Sequence, residues 1–281
     1  MEILGYLAAV VIGISLGLIG GGGSILTVPV LVYLFGVGAT EATAYSLFIV
    51  GLTALIGSFA FMKKRQVDFR TAAVFGVPSI LAVYLVRGYV MPIIPANLGP
   101  LGSLDITRDK ALLVLFGALM LATAFSMIRA KSTPEEDETP VQPEFKYGKI
   151  LLEGLLVGSV TGLVGAGGGF LIIPALVLLA KLPMKRAVGT SLLIIAAKSL
   201  IGFTGDLQTN PHIQWPLLLT VAGLATVGII IGSLLGQRIS GAKLKPAFGW
   251  FVLVMGLFMV GKEVATPAPT PGEKAPAVSA H

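Results

Sequence analysis

The sequence predicts an all-α integral membrane protein of two inverted-topology repeats, each a short re-entrant or broken helical hairpin followed by three transmembrane helices. Three observations predict it. Of 281 residues 55% are hydrophobic and 12% charged, whereas soluble domains carry about a quarter charged residues. A glycine-rich segment occurs twice, and the basic loops of one half of the chain are the neutral loops of the other.

The glycine segments are Gly20, Gly21, Gly22, Gly23 and Ser24 in the first half and Gly165, Ala166, Gly167, Gly168 and Gly169 in the second. At one constant offset, Gly13, Gly17, Leu18, Leu26 and Pro29 fall on Gly158, Gly162, Leu163, Leu171 and Pro174, and the register holds without a gap to Gly57 and Gly202. Repetition on this scale means two copies of one architecture.

Hydrophobic runs long enough to cross a hydrocarbon core of roughly 30 Å recur along the chain. The first half reads as short apolar legs at 3–19 and 25–36, then runs at 42–62, 70–90 and 110–129. The second half repeats this with legs at 150–164 and 170–180, then runs at 186–204, 215–236 and 245–262. The expected division is a membrane repeat over 1–130, a cytoplasmic linker over 131–149 that contains Glu135, Glu136, Asp137 and Glu138, a second repeat over 150–263, and a Pro- and Ala-rich tail over 264–281 expected to be disordered. The N-terminal run opens on Glu2, continues past the glycines and matches a run in mid-chain, so it reads as structure and not as a cleaved leader.

Charge sets the expected orientation. Lys63, Lys64, Arg65 and Arg70 follow the run at 42–62, and the loop before that run has no basic residue. In the second half the pattern is exchanged: Lys181, Lys185 and Arg186 occupy the loop equivalent to the neutral one, and 205–214 has no lysine or arginine. With basic loops on the cytoplasmic side, loops 63–70, 130–149, 181–186 and 237–245 are expected inside a bacterial-type inner membrane and both termini outside. A repeat of five segments, counting the short legs separately, inverts its successor, in agreement with the charges.

Composition also excludes. The net charge of +6 lies in short loops between apolar runs, which argues against nucleic acid. Cysteine is absent, removing disulfides, thiolate metal sites and thiol nucleophiles. His212 and His281 are too few and too peripheral for a metal site. No Ser/His/Asp set or paired carboxylates fall within a span, and no Gly-Lys-Ser/Thr follows either glycine run. Neither an enzyme nor a cofactor is expected.

A leg of about 15 residues reaches only about 22 Å, so each pair of legs is a thin span or a hairpin that turns inside the membrane. Bare backbone at that depth must be buried in protein or line a wet cavity. Glycines there permit positive φ and close approach, and a helix restarting at Ser24 or Phe170 presents free N–H groups and the positive end of its dipole. Two such turns entering from opposite faces would meet near the midplane and hold an anion with few charged side chains. Glycines also serve membrane helices as close-packing points.

The candidate substrate-binding set is therefore Gly20, Gly21, Gly22, Gly23, Ser24, Gly165, Gly167, Gly168 and Gly169, with Ser46, Thr190, Ser191 and Lys198. Ser46 and Ser191 align and offer hydroxyls, which equally bond their own helix backbone; Thr190 aligns with Tyr45. Lys198 is the one basic residue well inside an expected span, either a counter-charge for an anion or a side chain that snorkels to the outer end of its helix; its counterpart is Thr53. Glu41 and Glu153, near span ends, are surface residues or a proton relay, and protons or Na⁺ are the coupling ions considered. Arg87, Arg108 and Lys110 are expected near the outer face, chiefly as helix anchors, and Trp215 and Trp250 at the membrane interfaces.

The twin segments 17–29 and 162–174, with Ala44-Tyr45-Ser46-Leu47 and Gly189-Thr190-Ser191-Leu192, resemble the sulfite exporter TauE/SafE family of membrane transporters. The resemblance covers almost the whole chain apart from linker and tail. It implies secondary transport, in the direction of export, of a small sulfur-containing anion such as sulfite or an organosulfonate. The alternative is a carrier or channel for another small anion, sulfate or a monocarboxylate. The family's motifs identify a fold better than a chemistry.

Overall fold

A computed structural model describes residues 2–101, 104–129, 147–164, 168–178, 182–209, 213–236 and 241–265. The apolar runs become helices because in lipid each backbone polar group must be bonded within its own segment. The first half comprises α1 (Glu2–Ile19), a 3₁₀ turn (Gly21–Leu26), α2 (Thr27–Tyr33), α3 (Ala39–Lys63) and α4 (Phe69–Leu85). Helix α4 continues through a π-turn (Val86–Val90) into α5 (Met91–Ile93), followed by strands β1 (Asn97–Leu101) and β2 (Leu104–Thr107) and by α6 (Arg108–Arg129). The second half is α7 (Tyr147–Val164), α8 (Gly169–Leu178), α9 (Met184–Thr209), α10 (Trp215–Leu235) and α11 (Gly241–Ala265).

Four helical stretches among the described residues are long and apolar enough to cross a membrane: Ala39–Lys63, Phe69–Ile93, Lys185–Leu207 and Trp215–Leu235. Shorter apolar helices lie at Ile3–Ile19, Gly23–Tyr33, Ile150–Val164 and Val252–Lys262. Val77, Leu81, Ile230 and Leu234 are exposed on these helices, as a lipid-facing surface requires. The chain is a multi-pass membrane protein, helical among the described residues apart from one small hairpin.

That hairpin departs from the sequence expectation. Strands β1 and β2 pair antiparallel from Asn97 with Thr107 at the base, and the Thr107 hydroxyl accepts from the Lys110 N–H at 3.3 Å to start α6. Arg108 Nη1 donates to the Ile94 carbonyl at 3.2 Å, so Arg108 anchors this connection. Several boundaries shift by a few residues, two of them next to the candidate site. The stretch after the first glycine turn winds as 3₁₀ before α2 begins at Thr27, later than the expected Ser24, because Ser24 Oγ donates to the Gly21 carbonyl at 2.6 Å and tightens the turn. Helix α9 runs on to Thr209, past its expected end at 204. The linker over 131–146 and the tail over 266–281 lie outside the described residues, as do Gly165 and Gly167.

The two halves contact each other reciprocally. Helix α1 packs on α10 and α7 on α4; α3 packs on α10 and α9 on α4; α3 pairs with α9 and α6 with α11. Exchanging the halves maps this set onto itself. Glycines set the closest of these contacts. A Cβ on Gly13 would come within 1.9 Å of the Ala225 carbonyl oxygen on α10, and one on its counterpart Gly158 of α7 would meet the Ser79 carbonyl oxygen on α4 at 2.5 Å. Lipid tails give helices no hydrophobic reason to associate, so small residues that admit backbone contact hold such pairs together. Gly158→Leu is expected to cost about 1–3 kcal/mol by overpacking and to lower the thermal midpoint in detergent. Gly223→Leu on α10, where a Cβ meets nothing within 4 Å, is expected to leave it unchanged.

A second reciprocity joins the long central helices. The Tyr45 hydroxyl on α3 accepts from the Gln214 N–H at 2.8 Å, and Thr190 Oγ1 on α9 accepts from the Asp68 N–H at 2.9 Å. Tyr45 and Thr190 are aligned positions. The start of each helix is thus tied to the loop that follows the other, so α3 and α9 run antiparallel.

Candidate functional site

The two glycine turns lie inside the protein. Gly20, Gly21, Gly23 and Ser24 are buried, and so are Gly168 and Gly169. Among the described residues each turn has a glycine at positive φ, Gly20 at 75° and Gly168 at 64°, a conformation that a Cβ would strain. Gly22 lies within the 3₁₀ turn. Beyond Gly168, helix α8 starts with the Leu171 and Ile172 N–H groups donating to the Gly168 carbonyl at 3.0 and 3.1 Å.

The turns touch each other. A Cβ built on Gly21 would overlap the Gly169 Cα, and one on Gly169 would overlap Gly21. The seam between the halves is therefore backbone against backbone at this point and admits no side chain. Around it, a Cβ on Gly20 would meet Ser191 Oγ, Val188 and Ile173, each at 3.1 Å, and one on Gly21 would meet Ile195 Cδ1 at 2.6 Å. Gly23 rests on Ser15 and Leu16 of α1, the first leg of its own hairpin.

Lys198 reaches this seam. Its side chain is fully buried on α9 and does not snorkel. The ammonium donates to Thr161 Oγ1 at 3.0 Å and lies 2.6 Å from where a Cβ on Gly168 would sit. Among the described residues no carboxylate is within ion-pair distance of it. Thr161 occupies the last turn of α7 and donates its own proton to the Gly158 carbonyl at 3.2 Å, which leaves a lone pair for Lys198. The counterpart positions in the first half are Leu16 and Thr53, and Thr53 donates to its own helix at the Ile49 carbonyl, 2.6 Å away. The charge is one-sided.

The hydroxyls sort differently from their alignment. Ser24 bonds within its turn, and Ser191 donates to the Val188 carbonyl at 2.8 Å while its oxygen faces Gly20. Ser46 is fully buried, and its hydroxyl has no hydrogen-bond partner among the described residues. Thr190 is committed to Asp68 and is not at the turns. The structure thus brings together Gly20, Gly21, Gly168, Gly169, Ser191 and Lys198, and adds Thr161, which sequence reasoning missed. Only its lack of a polar counterpart at Leu16 sets Thr161 apart in the sequence.

Arg87 corrects another expectation. It is not an anchor at the outer face but a fully buried residue of the π-turn. Nη1 donates to Thr43 Oγ1 at 3.0 Å and lies 3.4 Å from Asp206 Oδ1. The extension of α9 puts Asp206 inside the protein, where the sequence had placed a loop. Lys198 is consequently not the only basic residue within a span. Glu41 is exposed and Glu153 half-buried. Trp215 is 43% exposed, with Phe48 and Phe203 edge-on to it at 6.1 and 6.4 Å, and Trp250 is 58% exposed.

Chemically the seam offers a buried ammonium with one neutral acceptor among the described residues and backbone N–H groups at the start of α8, while the Ser24, Thr161 and Ser191 hydroxyls already donate to backbone carbonyls. Such a set suits an anion. Among the described residues no group of three or more His, Cys, Asp or Glu side chains is placed to hold a metal ion.

The family profile of the sulfite exporter TauE/SafE family matches residues 5–259. A probable membrane transporter protein of Xylella fastidiosa (strain Temecula1) is 30% identical over 91% of this chain and 93% of its own length. A probable membrane transporter protein of Methanocaldococcus jannaschii is 29% identical over 89% of this chain and 92% of its own, and one of Bacillus subtilis, YunE, is 26% identical over 84% and 90%. No solved structure matches. Relatives that share nearly the full length are named as membrane transporters and not as enzymes, and with a profile match spanning both glycine turns, the chain belongs to the sulfite exporter TauE/SafE family.

Proposed function

We propose that this transporter is a secondary carrier that exports a small sulfur-containing anion, sulfite or an organosulfonate, by alternating access around the seam of its two glycine turns. The observation that carries this reading is the buried Lys198 ammonium set against Gly168 with Thr161 as its acceptor. An ammonium has three donors, and burying it costs several kcal/mol unless an opposite charge is close. An anion beside the seam supplies that charge, and the N–H groups of α8 ahead of Leu171 supply further donors, while Ser191, whose proton goes to the Val188 carbonyl, lines the site without donating. Because the Gly21–Gly169 contact is closed, the anion sits alongside it and not within it.

The halves are read as inverted relative to each other, with loops 63–70, 130–149, 181–186 and 237–245 in the cytoplasm of a bacterial-type cell, both termini outside, and 131–149 a linker between repeats. The antiparallel arrangement of α3 and α9 and the reciprocal helix pairs support this. A contact made of glycine backbone has no interlocking side chains, so sliding or rocking one half against the other there costs little. Protons or Na⁺ would drive the cycle.

The test is flux of radiolabelled sulfite in proteoliposomes of the purified protein. Saturable flux that sulfoacetate competes for and lactate does not is the expected result. Competition by lactate without competition by sulfoacetate would assign a monocarboxylate carrier, and non-saturating conductance would assign a channel.

A further inference from the structure

The buried pair of Arg87 and Asp206 leaves part of its guanidinium unused. Nη1 carries both contacts, to Thr43 Oγ1 at 3.0 Å and to Asp206 Oδ1 at 3.4 Å. Nε and Nη2 are buried and find no hydrogen-bond partner among the described residues. Those two nitrogens form the side edge of the guanidinium, whose parallel N–H groups grip an oxyanion in a fork. Buried donors without an acceptor are costly, and here both prongs of one fork are bare.

The surroundings favour a site over a strut. At 3.4 Å the bond to Asp206 is longer than the 2.7–2.9 Å typical of a charge-assisted pair, so Asp206 neutralises Arg87 without claiming its directional donors. The π-turn that carries Arg87 is a form of helix irregularity frequent at functional sites. Gly205 of α9 permits a close approach, since a Cβ there would lie 3.2 Å from the Arg87 Cβ and from the Gly88 nitrogen. Asp206 follows Lys198 on α9 by about 12 Å at 1.5 Å per residue, so the pair is separate from the ammonium at the seam.

We propose that the Nε/Nη2 edge of Arg87 is a second binding site for a small oxyanion, a solute presenting at least two oxygens of a carboxylate, sulfonate or sulfite-type group. Thr43 and Asp206 hold the guanidinium in position from its other end. The pair is neutral overall, so fork geometry, and not net charge, selects the ligand. This goes beyond the transport reading and needs the packing around Arg87 to open enough to admit a solute anion, since neither nitrogen has accessible surface in this conformation.

The experiment is equilibrium binding of ³⁵S-labelled sulfite to the purified full-length protein at constant ionic strength, in a Lys198→Met background that removes the ammonium at the seam. Saturable binding is expected to persist there, with sulfate or acetate displacing sulfite, and chloride, a single-atom anion without a pair of oxygens for the fork, displacing it poorly. Adding Arg87→Lys keeps the charge but loses the fork, and should weaken affinity about ten-fold or more, the equivalent of one charge-assisted hydrogen bond. Adding Arg87→Gln with Asp206→Asn, which strands no charge, should abolish it. No saturable binding in Lys198→Met, or unchanged affinity in the Arg87→Gln/Asp206→Asn protein, would overturn the proposal. If that protein does not fold, unchanged affinity in Arg87→Lys overturns it instead. Absence of flux with binding retained would count against the transport reading alone.

Discussion

Lys198→Met is expected to lower anion flux by about 10- to 100-fold, corresponding to the 1.5–3 kcal/mol of a hydrogen bond to a charged group, without destabilising the protein. The two consequences come from the same fact. Lys198 is fully buried with a single, neutral hydrogen-bond partner among the described residues, so its charge is poorly compensated in the empty protein and methionine relieves a desolvation cost. Once an anion is bound, that charge is its main electrostatic partner, and methionine offers nothing in return. Lys198→Arg is not a conservative rescue, because the ammonium already lies 2.6 Å from the Cβ position of Gly168 and a planar guanidinium needs more room. Flux measured in proteoliposomes beside the thermal midpoint separates the two effects: a fall in flux with an unchanged or higher midpoint is expected. Unchanged flux would remove the ammonium from the transport pathway.

Gly169→Ala and Gly21→Ala are each expected to reduce flux to background in protein that still reaches the membrane. Either methyl would overlap the backbone of the opposite turn, so the two halves must separate at the seam. The cost of such overpacking is about 1–3 kcal/mol. The double variant is expected to lose less stability than the sum of the singles, since residues in contact are coupled and the second methyl enters a seam already forced open. Gly223→Ala, on an exposed face of α10, is the control and should transport normally. Thermal midpoints for the four proteins, with flux for each, check both statements.

The fold was legible where the physics is repetitive. Apolar runs of membrane length located the helices, and the match of Gly13, Gly17 and Pro29 to Gly158, Gly162 and Pro174 pointed to two copies of one unit, a reading with which the reciprocal helix pairs agree. The glycines themselves read ambiguously, and the structure gives them both roles: Gly17 and Gly158 pack helices, while Gly21 and Gly169 form the seam. Alignment marked Tyr45 and Thr190 as special without naming their partners, because the donors are backbone N–H groups of Gln214 and Asp68, to which any sequence could contribute. Asp206 was illegible for a different reason. Hydropathy ends a helix where polar residues begin, yet α9 continues because Arg87, far away in sequence, accompanies that carboxylate into the interior. Thr161 was likewise invisible, since a hydroxyl in an apolar helix most often bonds its own backbone and only the position of Lys198 gives it another use.

The claim at the centre of this account is that a small anion is held beside the seam of the glycine turns by the Lys198 ammonium. Anomalous diffraction from crystals of the protein grown with selenite, the heavier analogue of sulfite, locates the anion without ambiguity from solvent. A selenium peak within hydrogen-bond reach of Lys198 Nζ and adjacent to Gly168 or Ser191 is the predicted result. Selenite that is transported and competes with sulfite, yet gives no peak beside Lys198, would contradict it.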